Sequence, residues 1–223
     1  MTAPRATSVG ILIPAFNEEA TVANVVKVAL ESGLGEVLVV ADGCTDWTAR
    51  VAKAAGARVL EYQPNRGKGG AVAAGVASMS QETLVLLDAD LINLTSKHVL
   101  AMLEPLRQNQ ADTTVGLFSG GGGITDFGNR ATPQWSGQRA IPRALLARVP
   151  DLASRKYAIE LAITDQIQLE GLRCKFVNLE GVSQRLKEQK LGFVRGMTRR
   201  LGMYWQILKY ALLERKRRTQ TRS

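Results

Sequence analysis

The feature that most constrains the fold is a regular alternation of two kinds of segment between Val9 and Asp88. Short apolar runs rich in β-branched residues predict buried strands, and the segments between them carry apolar residues at helical spacing. Strands that alternate with helices form a mostly parallel sheet covered by helices on both faces. The predicted strands are Val9–Ile13, Glu36–Ala41, Arg58–Glu61 and Thr83–Asp88, and the predicted helices are Val22–Leu30, Asp46–Ala55 and Gly69–Met79.

The length of the chain limits the number of domains. With 223 residues, 45% of them hydrophobic, the chain can build one good core but not two comfortable domains. We therefore expect a single α/β domain over residues 1–223. Its expected parts are a first half at 9–105, a second half at 106–192, and a basic amphipathic helix with a tail at 193–223.

The second half is less regular than the first. Gly116–Gly137 is rich in Gly, Thr and Asn and lacks periodicity, which predicts a long loop of the kind that is functional or disordered. Beyond this loop, the spacing predicts a helix at Ala158–Leu169, a strand at Lys175–Leu179 and a last helix at Gly196–Leu213.

Polar clusters follow all four predicted strands of the first half. Ligands of parallel sheets bind beyond the carboxyl ends of the strands, so we expect these clusters to converge on one crevice. The clusters are Asn17-Glu18-Glu19, Asp42, Asn65-Arg66-Gly67-Lys68-Gly69 and Asp88-Ala89-Asp90.

Asp88 and Asp90 place two carboxylates on one side of an extended turn at the end of a strand. Mg²⁺ and Mn²⁺ prefer such oxygen ligands and usually keep water and substrate phosphate oxygens in their shell. A metal here would neutralise the charge that develops on a departing diphosphate. The alternative is a solvated turn, which the very apolar run Leu84–Leu87 disfavours.

The segment Asn65–Gly70 brings two cations and backbone amides to the start of a predicted helix, where the helix dipole favours anions. Its alternative is a helix-start turn with a solvated Lys68. The spacing of a P-loop is absent, and no Gly-x-Gly-x-x-Gly follows the first strand, which argues against a dinucleotide-dependent oxidoreductase.

Asp42 offers a carboxylate for the imide N–H of a base, or else acts as a turn acid that caps the next helix.

Four motifs, taken in their order along the chain, resemble the nucleotide-sugar half of the family 2 glycosyltransferases. Members of that family have the GT-A fold and work with inversion. Two later segments look like the acceptor side of the branch that holds polyprenyl-phosphate sugar transferases and glucosyl-3-phosphoglycerate synthases. The four motifs are Pro14-Ala-Phe-Asn-Glu-Glu19, Ala41-Asp-Gly-Cys-Thr-Asp46, Asn65-Arg-Gly-Lys-Gly69 and Asp88-Ala-Asp90, and the later segments are Trp135-Ser-Gly-Gln-Arg-Ala140 and Tyr157-Ala-Ile-Glu160.

The resemblance implies that residues 9–105 bind the nucleotide-sugar donor and that residues 106–192 serve the acceptor. Pro14, Phe16 and Glu18 would line the nucleoside pocket. Asp42 would hold the base, and Lys68 would contact the diphosphate.

The same resemblance implies the metal ligands. Asp90 would bind Mg²⁺ or Mn²⁺, while Asp88 would contact the ribose or reach the metal through water. In part of the family a histidine completes the metal shell, and Gln184, whose amide oxygen is a weaker ligand, occupies that position here. Ala41 and Cys44 replace an acid and a serine of the base motif, a change expected to loosen donor selectivity.

An inverting transfer to a hydroxyl also needs a base near the acceptor. Glu160 is the first candidate and Asp165 the second, with a surface position as the alternative for both. A phosphate acceptor needs little or no base, because the nucleophile is already anionic. Arg139 is expected to hold an acceptor anion, with a plain surface arginine as the alternative. The expected reaction moves a sugar from a UDP- or GDP-linked donor to a lipid-linked or phosphorylated acceptor.

Cysteine usage and hydropathy predict a cytoplasmic protein. Cys44 and Cys174 are too few for a disulfide framework and lack the spacing of a zinc site, so we expect reduced thiols. The first ten residues lack the pattern of a signal peptide, and no apolar run approaches the length of a membrane span.

The net charge of +9 is concentrated from Arg195 on, where nine basic residues accompany a single acid, Glu214. This basic tail either packs on the domain with its charges solvated or lies on anionic lipid headgroups at the inner face of the membrane. Nucleic-acid binding is disfavoured, because no recognised module or stacking aromatic residues accompany the charge.

Two other classes of protein compete with a transferase. Sugar-1-phosphate nucleotidylyltransferases open with a Gly-x-Gly-Thr-Arg loop, whereas this chain has Pro-Ala-Phe-Asn at that point. A non-catalytic peripheral membrane module on the same fold stays open, because Ala41 and Gln184 depart from the family pattern.

Overall fold

The computed structural model describes residues 8–119, 136–155 and 159–185. Within these ranges, seven strands form one central sheet and two short strands form a separate ribbon. The strands are β1 (Val9–Ala15), β2 (Val37–Asp42), β3 (Arg58–Tyr62), β4 (Thr83–Leu86), β5 (Leu91–Ile92), β6 (Thr113–Ser119), β7 (Arg139–Pro142), β8 (Cys174–Glu180) and β9 (Ser183–Gln184).

The described helices fill the connections between these strands. A single 3-10 turn, Leu152–Ser154, precedes the last of them. The helices are α1 (Val22–Glu31), α2 (Thr48–Ala54), α3 (Gly67–Ser78), α4 (Ser96–Arg107), α5 (Arg143–Arg148) and α6 (Ile159–Leu169).

The central sheet has the strand order β3-β2-β1-β4-β7-β6-β8. β7 runs antiparallel to both of its neighbours, and the other pairings are parallel. In the parallel pairs Ile11 lies opposite Val37 and Thr113 opposite Cys174. The α/β fold with a mostly parallel sheet, predicted from the alternation of apolar runs, is confirmed.

The central strands β1, β2 and β4 are buried on both faces, which explains why they read as continuous apolar runs. Successive side chains of a strand point to opposite faces. In β1, Ile11 and Ile13 therefore pack with residues of α1 and α4, while Leu12 packs with residues of α3, α5 and α6. Helices cover both faces, as predicted.

A two-stranded ribbon extends the structure beyond β4. β5 and β9 pair antiparallel, with Leu91 opposite Gln184. This pairing brings Gln184 from the far end of the described chain beside Asp90, the residue that precedes β5.

The prediction of a loop over Gly116–Gly137 is wrong at its start. Gly116–Ser119 belong to β6, which pairs with β8 along its whole length. The glycine weakened the strand pattern, yet a Cβ on Gly116 would lie 2.6 Å from a methyl of Leu179 and 3.0 Å from the sulfur of Met102. Gly116 is therefore a strand residue placed where neighbouring side chains approach closely.

Several predictions fall on residues outside the described ranges. They concern most of the loop up to Trp135, the motif residue Tyr157, the helix at Gly196–Leu213 and the basic tail. The extent of the single domain over residues 1–223 also stays a prediction. Among the described helices, none is long and apolar enough to cross a membrane.

Asp112 and Arg173 join the amino ends of β6 and β8. The guanidinium of Arg173 donates to both carboxylate oxygens of Asp112, at 2.9 and 3.1 Å, and the backbone N–H of Arg173 donates to Asp112 at 2.8 Å. These side-chain hydrogen bonds hold the pKa of Asp112 below its ordinary value, although partial burial opposes the shift.

This lowered pKa predicts a pH-dependent contribution to stability. A carboxyl whose pKa is lower in the folded protein stabilises the fold above its unfolded pKa, about 4, and loses that contribution as pH falls through the folded pKa. We expect Asp112→Asn to unfold at lower urea concentration than the wild type at neutral pH, with a smaller difference at about pH 3. Urea titrations at both pH values measure it, and an equal difference at both would contradict the assignment.

Candidate active site

The loops after β1 and β2 are tied together by side-chain hydrogen bonds. The backbone N–H of Thr45 donates to Asn17 Oδ1 at 2.9 Å, and that of Trp47 donates to Glu19 Oε2 at 2.9 Å. Cys44 Sγ accepts from the N–H of Asn17 at 3.4 Å and lies 3.5 Å from the carbonyl of Ala15. The thiol therefore makes the kind of contacts that a serine hydroxyl makes, and the two polar clusters form one rim.

Asp42 connects this rim to the start of α3. Its carboxylate accepts the backbone N–H of Arg66 at 2.9 Å and that of Gly67 at 2.7 Å, and the side chain is buried. Asn65 donates to the carbonyl of Asp42 at 2.6 Å. The anion at this helix start is therefore the carboxylate of Asp42 itself.

Three backbone amides of this segment are consequently bonded within the protein, and binding of a ligand anion by the segment stays a prediction. The N–H groups of Arg66 and Gly67 bond to Asp42, and the N–H of Gly69 donates to the carbonyl of Arg155 at 3.0 Å. A Cβ on Gly69 would lie 2.2 Å from that carbonyl oxygen. This glycine lets the 3-10 segment pack directly on α3, and the contact of Lys68 with a diphosphate stays a prediction.

Lys68 joins the donor-side and acceptor-side motifs. Its Nζ donates to Asp88 Oδ1 at 2.6 Å and to Glu160 Oε1 at 2.7 Å. The side chains of Lys68, Asp88 and Glu160 are 30%, 16% and 17% exposed, so the group is shielded but open to one side. Hydrogen bonds thus link the four strand-end clusters in series, and a single crevice shared by all four stays a prediction.

The two carboxylates keep the lysine charged. Burial alone would lower the pKa of Lys68, but the negative charges of Asp88 and Glu160 outweigh it and raise that pKa above its ordinary value. Lys68 is therefore an ammonium over the whole physiological range. A diphosphate that enters the crevice would meet a fixed positive charge.

Asp88 accepts two further hydrogen bonds, which the sequence did not predict. Gln138 donates its Nε2 to Asp88 Oδ2 at 2.9 Å, and Gln184 donates to the same oxygen at 2.7 Å. Gly137 passes so close that a Cβ there would lie 2.6 Å from Lys68 Nζ and 2.8 Å from an oxygen of Asp88. Gly137 and Gln138 therefore pack against the Lys68–Asp88 pair.

The residues at the turn fit a hard divalent cation. Asp88 and Asp90 supply carboxylates, and Gln184, beside Asp90 on the ribbon, supplies an amide whose oxygen is a suitable hard ligand. In the described part of the chain no three His, Cys, Asp or Glu side chains form a ready metal cluster. Such a sparse set suits Mg²⁺ or Mn²⁺, which complete their shells with water and substrate phosphate.

Arg139 lies inside the fold. Its side chain is buried, and its guanidinium donates to the carbonyl of Ser136 at 3.1 Å, the carbonyl of Glu160 at 3.2 Å and the hydroxyl of Thr164 at 3.0 Å. Burial lowers the pKa of Arg139, and the carboxylate of Glu160 opposes that shift. In this position Arg139 anchors the first turn of α6; its role in acceptor binding stays a prediction.

The other predicted site residues occupy different depths. Pro14 lines a small pocket with Lys68, Asp88 and Glu160, whereas Phe16 lies further out and is exposed. Glu18 sits on the rim, where its N–H donates to the hydroxyl of Thr48 at 2.7 Å. Asp165 lies more than one turn beyond Glu160 on α6 and is half-buried. The binding and catalytic roles of these residues stay predictions.

The fold and the strand-end site define a nucleotide-sugar transferase domain of the GT-A type. The sequence model of glycosyl transferase family 2 matches residues 10–160. The chain therefore belongs to glycosyl transferase family 2.

Solved structures of one relative agree with this assignment. Glucosyl-3-phosphoglycerate synthase from Mycobacterium tuberculosis, in complex with Mn²⁺, UDP-glucose and phosphoglyceric acid, superposes with a TM-score of 0.69 at 27% identity. The match covers 80% of this chain and 71% of that chain. A structure of the same enzyme with Mg²⁺ and UDP gives a TM-score of 0.68 at 27% identity, over 80% and 71% of the two chains.

Curated relatives come from both parts of the branch that the motifs resemble. The same mycobacterial synthase is 29% identical over 194 residues, which cover 70% of this chain and 59% of the relative. Dolichyl-phosphate β-glucosyltransferase from Drosophila melanogaster is 39% identical over 97 residues, covering 36% of this chain and 30% of the relative. The chain thus spans less than two thirds of the length of these relatives.

The contacts of Asp42 predict a structural contribution. Removing the carboxylate leaves two N–H groups at the start of α3 without their acceptor, and hydrogen bonds to a charged group are worth about 1.5–3 kcal/mol. We expect Asp42→Ala to lower the free energy of unfolding by about that amount. Asp42→Asn, which keeps one acceptor oxygen, should fall between Asp42→Ala and the wild type. Urea unfolding measures the order, and an Asp42→Ala protein as stable as the wild type would contradict it.

Proposed function

We propose that the protein is an inverting glycosyltransferase that moves a sugar from a nucleoside-diphosphate sugar to a phosphorylated acceptor. The observation that carries this proposal is the contact of Lys68 with both Asp88 and Glu160. It brings the carboxylate of the donor motif and a carboxylate of the acceptor-side helix to the two sides of one cation. A transferase requires that donor and acceptor groups meet in this way.

The donor side of the site suits a diphosphate. Lys68 presents a permanent positive charge. Asp88 and Asp90 come just after strand β4, which pairs with β1. We infer that UDP is the carrier, because the solved relatives hold UDP or UDP-glucose with Mn²⁺ or Mg²⁺. Pro14, Phe16 and Glu18 would line the nucleoside pocket, behind the rim that joins the first two loops.

Asp90, with Asp88 and Gln184, would hold Mg²⁺ or Mn²⁺. The metal, when bound, supplies a Lewis acid that stabilises the charge on the leaving diphosphate. Gln184 now donates its amide nitrogen to Asp88, so its amide would have to turn for the oxygen to serve as a ligand. Lys68 would contribute a second positive charge at the same diphosphate.

The acceptor side centres on Glu160. In a direct displacement, the acceptor oxygen forms a bond to the anomeric carbon as the bond from that carbon to the diphosphate breaks, which inverts the configuration. If the acceptor oxygen is a hydroxyl, its proton passes to a base, for which Glu160 is the best-placed carboxylate in the described site. If the acceptor oxygen belongs to a phosphate, no proton has to be removed.

Both kinds of relative act on phosphorylated molecules by name, one on phosphoglycerate and the other on dolichyl phosphate. A lipid-linked acceptor would place the enzyme at the inner face of a membrane, where the basic residues after Arg195 would be attracted to anionic lipid. The shared chemistry is a phosphate group on the acceptor. A water-soluble and a lipid-linked acceptor are separated by experiment.

Metal-dependent donor binding is the first prediction of the proposal. Ligand that binds the folded state at about 100 times its Kd stabilises the protein by about 2.7 kcal/mol. UDP with Mn²⁺ should therefore raise the melting temperature of the wild type, and Asp90→Asn should remove the Mn²⁺-dependent part of that rise. Thermal-shift assays with UDP, GDP and dTDP measure both effects.

The matched control is Asp112→Asn, which makes the same change at the opposite, amino-terminal edge of the sheet. It should keep the full Mn²⁺-dependent rise relative to its own ligand-free melting temperature. Retention of the full rise by Asp90→Asn would refute the metal assignment. Absence of any rise in the wild type with all three nucleotides would refute the donor assignment.

The second prediction concerns the base and the acceptor. With UDP-glucose and 3-phosphoglycerate, Glu160→Gln should lower kcat by about 10²–10⁴, because the hydroxyl loses its base. With a polyprenyl phosphate in anionic vesicles the same substitution should have a much smaller effect. Steady-state rates with each acceptor show which of the two is used, and rates equal to a no-acceptor blank for both would refute a phosphorylated acceptor.

Asp165→Asn is the comparison variant, since Asp165 is the second candidate base. A larger loss of kcat in Asp165→Asn than in Glu160→Gln would contradict the role given to Glu160. The anomeric configuration of the product, measured by NMR coupling constants, tests inversion. Retention of the donor configuration would contradict a single displacement.

A further inference from the structure

Gln138 is a buried polar residue directly behind Asp88. Its side chain is 1% exposed, and its Nε2 donates to Asp88 Oδ2 at 2.9 Å. Burying an amide in a protein core is unfavourable unless its hydrogen bonds are made. The hydrogen bond to Asp88 therefore offsets the free-energy cost of burying the amide of Gln138.

The surroundings of Gln138 fix the direction of its amide. Ser136 Oγ lies 3.1 Å from Gln138 Oε1 and 2.5 Å from the carbonyl of Gly116, and its single hydroxyl hydrogen serves one of these acceptors at a time. The backbone carbonyl of Gln138 accepts a hydrogen bond from the backbone N–H of Gly116 at 2.8 Å, which holds the residue against β6. The opposite amide orientation would set Oε1 against the negative carboxylate of Asp88, so the N–H group faces Asp88.

The other two donors to Asp88 have competing tasks. Lys68 lies where it would meet the diphosphate, and Gln184 would have to turn its amide to bind a metal. Gln138 is held by β6 and Ser136, away from the opening of the crevice. When the nucleotide-sugar and the metal occupy the site, Gln138 is expected to keep its hydrogen bond to Asp88.

We propose that Gln138 is a positioning residue that fixes the orientation of the Asp88 carboxylate for the metal-bound donor. The inference rests on the proposed function, because it assigns Asp88 to that complex. Partners that orient a ligating carboxylate typically change metal affinity or activity by about 10–100-fold when they are replaced.

The test compares Mn²⁺-dependent UDP binding in Gln138→Leu, Gln138→Met and the wild type. Both variants remove the N–H donor, and methionine nearly keeps the length of glutamine and adapts to irregular space. We expect the Kd of UDP at saturating Mn²⁺, measured by titration calorimetry, to rise by about 10–100-fold. The melting temperature of the metal-free variants should change little, because the buried amide is replaced by an apolar group of similar size.

Gln81→Leu is the matched control. Gln81 is half-buried and donates its Nε2 to Glu36 at 3.0 Å, just before β4 and thus at the opposite edge of the sheet from Asp88. This variant should bind UDP and Mn²⁺ as the wild type does.

The outcomes separate the two proposals. A wild type that does not bind UDP with Mn²⁺ refutes the proposed function. A wild type that binds, together with a folded Gln138→Met that binds equally well, overturns the role of Gln138. A lowered melting temperature in both variants with unchanged UDP affinity would show a merely structural residue and would also overturn it.

Discussion

The ammonium of Lys68, held between Asp88 and Glu160, is the contact on which the arrangement of the site depends. Asp88 follows β4 and Glu160 lies in the first turn of α6, so the fold brings together two carboxylates that are far apart in the chain. Without a cation between them, these two partly buried carboxylates would repel each other. The lysine therefore holds together two carboxylates that would otherwise repel each other.

The remainder of the site is built so that this lysine has a fixed position. Asp42 occupies the amides at the start of α3, and the carbonyl of Arg155 takes another, so the helix start is anchored on two sides. The loops after β1 and β2 hold each other through Asn17 and Glu19. A site whose polar groups are already paired loses little conformational entropy when a substrate binds, which favours catalysis by fixed charges.

The first half of this fold could be predicted from sequence because its signals are local. Three of its four strands are apolar runs, and each functional cluster follows a strand, so alternation and position together located Asp42, Lys68 and Asp88. The pattern left two uses open for Asp42. The structure shows its hydrogen bonds to the start of α3, and its contact with a base stays a prediction. Asn65 also packs closely on Gly43, where an added Cβ would lie 2.5 Å from the backbone nitrogen of Asn65. The sequence pattern does not indicate this contact.

The second half resisted prediction because its contacts are long-range. β7 is four residues long and antiparallel, and its sequence Arg-Ala-Ile-Pro carries no clear period. Gln138 donates a hydrogen bond to Asp88, which lies fifty residues earlier in the chain. Glu160 was identified through a resemblance, and its contact with Lys68 could not be read from spacing. Residues of this kind are found when the fold brings distant segments together.

A crystal structure with UDP and Mn²⁺ tests the central claim most directly. We expect the diphosphate to lie within hydrogen-bond distance of Lys68 Nζ, about 3 Å, with the metal on Asp90 and with Gln138 still bonded to Asp88. UDP bound away from the crevice between β4 and α6, or a diphosphate that Lys68 does not contact, would contradict it.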